Sequence, residues 1–166
     1  MLEKESKTFK FIIRGDPVAW KRPGQSRWGR YDTQKSIKEA LGSIFRMGME
    51  NQPPLLGKIK LIAVFFMPIP KSLRKSDREG VATQGWHTKR PDLDNLIKLI
   101  LDSMNGIVFK DDSQVCAIIA MKGYGEIPRT ELTILEDFDE DEGDDSRRDK
   151  SRGDGDTGVD DTGAFA

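Results

Sequence analysis

Beyond residue 135 the chain has almost nothing to bury. The segment "EDFDEDEGDDSRRDKSRGDGDTGVDDTGAFA", residues 136–166, carries two phenylalanines and only one aliphatic side chain larger than alanine, Val159. Such a composition cannot remove enough apolar surface from water to offset its ordering entropy, and a disordered acidic C-terminal tail is expected. Whatever folds must fold from residues 1–135, which is enough for one domain around a single modest core. The two parts also differ in charge. The tail holds 13 Asp/Glu against 4 Lys/Arg, a net of −9, which leaves residues 1–135 with 23 Lys/Arg and 15 Asp/Glu, a net of +8. The formal charge of −1 for the whole chain conceals this split. A basic body favours a polyanionic partner.

Within the body, hydrophobic spacing separates the elements. "TFKFIIRG" reads as a first strand closed by Gly15. "DPVAWKRPGQSRWGRYD" mixes prolines, glycines, basic residues and two tryptophans, which suits a surface loop. A helix is predicted over about 33–50, with Ile37, Leu41, Ile44 and Phe45 at helical spacing. "KIKLIAVFFMP" is rich in β-branched and aromatic residues and reads as a strand. A long basic connection follows, "IPKSLRKSDREGVATQGWHTKR", and loops of that length are usually functional or mobile. A second helix is predicted from about Asp92 to Asn105, stopped by Asn105-Gly106. "SQVCAIIAMKG" is apolar on both alternating sets, so it is expected at the centre of the sheet. "RTELTILE" alternates, as a half-exposed strand does. The order β-α-β-loop-α-β-β implies an α+β fold: a mixed β-sheet with two helices packed on one face.

Composition also excludes function classes. One histidine cannot build a histidine-based metal cluster, and one cysteine, Cys116, cannot form an internal disulfide. Cys116 lies in an apolar run and is expected in the core. The N-terminus lacks the apolar stretch of a signal peptide, and "LIAVFFMPIP" is too short to span a bilayer. No membrane partner is expected, and a reducing, cytoplasmic location is the simplest reading.

The chemistry concentrates in "KRPDLDNLIKLILDSMNGIVFKDDSQV", residues 89–115. Pro91 fits a helix entry and puts Asp92 near the N-cap. Leu93, Ile97, Ile100, Leu101 and Met104 form an apolar stripe, while Asp94, Lys98, Asp102 and Asn105 stack on the opposite side. A regular helix would splay Asp92 and Asp94 by about 200°, so they can converge only because Asp92 sits at the irregular start. Eighteen residues after Asp94, the turn "KDDSQ" places Asp112 at the head of the next strand, where it could return to the helix start. Each feature has a plain structural reading. Aspartate caps helices, Asp94 and Lys98 have i,i+4 ion-pair spacing, and "DDSQ" is ordinary turn chemistry. The functional reading is a hard-metal site, in which two or three carboxylates, waters and a phosphate satisfy Mg²⁺ and a lysine neutralises charge on phosphorus. An acidic knot inside a basic body is what a metal-dependent nuclease requires.

Taken together, "HTKRPDLDNLIKLILDSMNGIVFKDDSQV", with "WKRP" near the N-terminus and "PRTEL" in the last strand, resembles the RusA-type Holliday-junction resolvases. These are endodeoxyribonucleases often carried by prophages. The resemblance covers most of residues 8–135 and none of the tail. It implies a Mg²⁺-dependent, structure-selective endodeoxyribonuclease that resolves four-way DNA junctions by symmetric nicking in recombination and repair. It implies that Asp92, Asp94 and Asp112 bind the metal, that Lys98 is the essential lysine, and that the enzyme is a homodimer. Asp111 is left as a helper near the metal. The division expected is a nuclease domain over 1–135 and a tail over 136–166. A non-catalytic branched- or single-stranded-DNA-binding protein with structural carboxylates is the rival reading. Lys21, Arg22, Arg74, Lys75, Lys89 and Arg90 are the expected DNA contacts, with Trp20 and Trp28 as stacking surfaces or, in the plainer reading, loop and core residues. Recognition should rest on phosphate placement and shape. His87 is expected to hydrogen-bond or meet phosphate, since Mg²⁺ prefers oxygen.

Overall fold

The computed structural model describes residues 7–73, 78, 80 and 85–138, so Arg74, Lys75 and the expected disorder of the far tail lie outside the described residues. The elements are β1 (Lys7–Arg14), β2 (Gly24–Ser26), β3 (Gly29–Tyr31), α1 (Lys35–Gly48), β4 (Ile59–Pro68), α2 (Leu93–Met104), a 3-10 turn at Asp112–Gln114, β5 (Val115–Gly125) and β6 (Arg129–Glu136). The main sheet runs β1-β6-β4-β5 and is mixed: β4 is antiparallel to β6 and parallel to β5. This is the expected α+β layer, with a small β2–β3 hairpin added where the sequence reads as loop. That hairpin is too short and polar to announce itself. It closes locally, through the Ser26 hydroxyl donating to Gly29 O and accepting from Trp28 N–H.

Burial follows strand alternation. Phe11, Leu132, Ile134, Leu61, Ala63 and Phe65 point to one face, where α1 contributes Leu41 and Phe45 and α2 contributes Leu96, Leu99, Ile100 and Met104. Phe11 and Phe45 meet edge to face, with centroids 5.2 Å apart. Each fully buried side chain of this size is worth about 1.5–3 kcal/mol of burial. The helix ends follow local rules. Gly106 stands just past α2 at φ 72°, a backbone that side chains disfavour. At Gly48 a Cβ would lie 2.5 Å from the Phe11 ring, so only glycine lets α1 come this close to β1.

Four expectations change. β5 is an edge strand of the four-stranded sheet; β4 and β6 are interior. Its second apolar set, Ile119 and Met121, lies 46 % and 38 % exposed on the face away from the helices. Beside them on β4 are the half-buried Ile62, Val64 and Phe66. Two-faced hydrophobicity signals burial on two faces, yet the described residues cover only one. Cys116 is exposed at the start of this edge strand rather than in the core. On α2 Ile100 and Met104 of the expected stripe are buried, but they are joined inside by Leu96 and Leu99, while Leu93, Ile97 and Leu101 form the flank. The folded structure also runs past residue 135: the Glu136 carboxylate accepts from Leu56 and Gly57 N–H at 2.9 and 2.8 Å, and the Phe138 ring lies under Lys58 and Lys60.

Candidate active site

Asp92 is the N-cap of α2, with φ −73° and ψ 145°, but its side chain accepts no capping hydrogen bond. The usual reason for an aspartate at this position is therefore absent, and its exposed carboxylate is left open to a ligand. Two positions on, Asp94 projects from the first turn. It shares one open cleft with Ile97, Lys98, Leu101, Asp102 and Asp112. Asp94, Lys98 and Asp112 thus line a common space together with two aliphatic side chains. Asp92 is not part of that lining, and among the described residues no three carboxylate, histidine or cysteine side chains converge on one point.

The turn that delivers Asp112 divides its two aspartates by role. Asp111 is the N-cap of the 3-10 turn and forms a complete capping box. Its Oδ1 accepts from Ser113 N–H at 2.9 Å, and its own N–H donates to Gln114 Oε1 at 2.9 Å. The Ser113 hydroxyl and N–H, with Lys110 nearby, hold the Asp111 carboxyl below the usual carboxylate range. Gln114 then donates to Leu55 O and Gly57 O, which fastens the turn to the segment before β4. Asp111 builds the turn, and Asp112 is the one released into the cleft.

The approach to Asp92 is anchored by a residue that no motif singles out. Lys122, on β5, donates through Nζ to Lys89 O at 2.8 Å and to Pro91 O. Residues 85–87 run along the same edge: Trp86 bridges Gly123, His87 N–H donates to Lys122 O, and Tyr124 N–H donates to Gly85 O. Lys89 and Arg90 are consequently exposed just ahead of the helix entry. On the other side, Trp20 N–H donates to Asn95 O at 2.8 Å, which brings Lys21 and Arg22 to the first turn of α2. Basic pairs thus reach the helix N-terminus from two chain segments. The exposed Trp28, at the hairpin tip, stacks with Arg27, 5.3 Å from its centroid. Trp20 is half-buried against the core and is not a free stacking surface.

Asp102 has a different partner from its cleft neighbours. Lys38 of α1 sits 3.1 Å from both Asp102 and Asp32 and ties the two helices. Burial works against the Lys38 charge, but the two carboxylates outweigh it and raise its pKa.

His87 packs on the Tyr124 ring at 4.9 Å, and among the described residues its buried Nδ1 has no hydrogen-bond partner. Burial, then the Lys122 and Lys89 charges, push the imidazole below its ordinary value of 6.5. A depressed folded-state value means that the unfolded chain binds the proton first, so this stability is present above pH 6.5 and is lost as pH falls through the folded value. The urea midpoint should decline as pH drops below 6.5, and His87→Gln should reduce that decline. Parallel curves for the two proteins from pH 7.5 to 5 would contradict it.

A profile of the family described as endodeoxyribonuclease RusA matches residues 14–135. The chain belongs to the RusA endodeoxyribonuclease family. Two relatives are similar to it. The uncharacterized protein YqaN of Bacillus subtilis (strain 168) is 32 % identical over 135 residues, covering 76 % of this chain and 95 % of that protein. A crossover junction endodeoxyribonuclease rusA of Lactococcus phage r1t is 37 % identical over 79 residues, covering 47 % of this chain and 54 % of the phage protein. The RusA match ends at residue 135, so it takes in every cleft residue and none of the tail. No helix among the described residues is long and apolar enough to cross a membrane.

Proposed function

We propose that this RusA-family protein is a Mg²⁺-dependent, structure-selective endodeoxyribonuclease that resolves four-way DNA junctions by paired nicks. The observation that carries the reading is the shared cleft of Asp94, Asp112 and Lys98. Two carboxylates that face one space, with oxygen as their only donor type, suit Mg²⁺, which needs few protein ligands because it keeps waters and takes phosphate oxygens. Asp94 and Asp112 would hold the ion, and Asp92, which lies outside that cleft with its carboxylate uncapped, would join them only by moving in from the helix entry. When bound, the ion supplies a hydroxide nucleophile and draws charge from the phosphoryl oxygens. The chain's own part is to hold those ligands on α2 and on the capped turn, and to bring the Lys98 ammonium to the phosphate as negative charge grows. Lys21, Arg22, Lys89 and Arg90 would seat the flanking backbone beside the helix N-terminus, where N–H groups favour anions. The name of the Lactococcus phage relative supports the substrate class.

Paired nicks in opposing strands call for two active sites related by a two-fold axis, hence a homodimer. The uncovered face of the sheet supports this. The eight-residue span over which the four strands pair presents on the order of 500 Å² there, a large part of the roughly 800 Å² that one partner gives to a standard interface. Ile119, Met121 and Ile12 lie on it, which is costly to leave in water.

The test is incubation of a labelled four-way junction, a flap and a plain duplex with the protein, with and without Mg²⁺. Paired nicks in the junction that require Mg²⁺ are expected. Tight junction binding with no cleavage at any Mg²⁺ concentration would favour the non-catalytic reading. A second measurement addresses seating. Replacing Lys89 and Arg90 with alanine should weaken junction binding and lower the slope of log affinity against log salt by about 2, roughly one per phosphate contact. An unchanged slope would remove both residues from the DNA interface.

A further inference from the structure

Lys98 stands four residues after Asp94, the spacing of a helical ion pair, yet among the described residues its ammonium pairs with no carboxylate. Its Nζ lies instead 3.7 Å from the centroid of the Trp20 ring. We infer that Trp20 is a positioning residue: its indole face holds the Lys98 ammonium on the cleft wall, apart from Asp94 and Asp112, so that lysine and carboxylates remain separately available to phosphate and metal. The inference rests on the reading of Lys98 as the reaction's lysine.

The support beneath Trp20 is built from both sides. Gln34, only 2 % exposed at the start of α1, donates through Nε2 to Ala19 O at 2.9 Å and accepts from Lys21 N–H at its Oε1. One buried amide therefore clamps the residues immediately before and after the tryptophan. Trp20 itself donates its backbone N–H to Asn95 O, inside the turn that carries Asp94. Gln34 is held in turn by Asp32, whose Oδ1 accepts the Gln34 N–H at 2.8 Å while Oδ2 meets Lys38. Lys38 reaches across to Asp102 on α2. The backbone that carries the indole is thus tied to both α1 and α2, and the lysine rests on the ring.

The chemistry explains why an aromatic partner suits this place. A carboxylate partner would cancel the ammonium's charge and compete for it with the phosphate. Were that partner Asp94, the lysine would also compete with the metal for the same oxygens. The face of an indole attracts a cation through its quadrupole and carries no net charge. It can orient the ammonium without neutralising it, and it offers no ligand to a hard metal. Removing the indole leaves Lys98 free to collapse on Asp94, one helical turn away.

Two independent readouts test this. The chain has three tryptophans, Trp20, Trp28 and Trp86, so a Trp28→Phe/Trp86→Phe protein reports Trp20 alone by fluorescence. In that background Lys98→Met should shift or intensify the emission, whereas Lys110→Met, an exposed lysine elsewhere, should not. On a labelled junction, Trp20→Leu should lower the single-turnover cleavage rate at least tenfold with junction Kd within about twofold, and Trp20→Phe should recover most of the loss. An emission spectrum indifferent to Lys98→Met would overturn the contact, and needs no substitution at Trp20. A folded Trp20→Leu protein cutting at the wild-type rate would overturn the positioning role. If Lys98→Met itself cut normally, the role assigned to the lysine would fail, and the positioning inference with it, even where the fluorescence response is present.

Discussion

Asp94→Asn and Asp112→Asn should each abolish junction nicking and leave the junction bound at least as tightly as by the unaltered protein. Both substitutions keep the shape of the side chain and remove one negative charge from the cleft. If the carboxylates hold the metal, the loss in rate should exceed the roughly 10- to 100-fold typical of residues that only support a metal ligand. Binding should not fall, because removing negative charge near phosphate reduces repulsion. The adjacent aspartate supplies the control. Asp111 spends its carboxylate on the capping box, so Asp111→Ala should lower thermal stability while the remaining folded protein still nicks. Cleavage measured under single-turnover conditions, beside junction affinity in Ca²⁺, separates these effects. Wild-type nicking by Asp94→Asn or Asp112→Asn would sink the metal-site reading. Loss of nicking in folded Asp111→Ala would move that residue from the turn into the chemistry.

If the sheet face is the dimer contact, Ile119→Asp, or the double change with Met121→Asp, should convert the protein to a monomer and remove paired cleavage. Both residues lie on the sheet face away from the helices, and both are partly exposed in a single protomer. Two carboxylates at the centre of a buried sheet-on-sheet contact would cost several kcal/mol per ion, well beyond what such an interface tolerates. The same changes on an open surface cost little, so the isolated fold should survive. Light scattering on a sizing column gives the mass, and a junction labelled on opposing strands reports whether the two nicks arise together. Unaltered mass with paired nicks intact would place the dimer contact elsewhere. An intact dimer that had lost its cleavage would separate the sheet face from assembly.

Much of the fold was legible because it is written in short-range pattern. "RTELTILE" alternates and is a strand over the same eight residues, Arg129–Glu136. α2 starts after Pro91-Asp92 and stops at Asn105-Gly106, where local geometry demands it. The placement of Asp94 and Lys98 on one side of a helix follows from 3.6 residues per turn. Non-local choices were not legible. Two-faced hydrophobicity in "VCAIIAM" says that both faces seek cover, without saying whether a neighbouring strand or another protomer supplies it, and in this chain β5 is the edge. Asp111 and Asp112 are chemically identical in sequence, and only the backbone of the turn gives one to the cap and the other to the cleft. Lys122 and Gln34 carry no motif, because their partners are backbone carbonyls and an amide 13–33 residues away. Trp20 meets Lys98 from 78 residues' distance. Periodicity constrains which side of an element a residue takes; what stands opposite depends on packing between segments far apart in the chain, and that is set only when the whole domain closes.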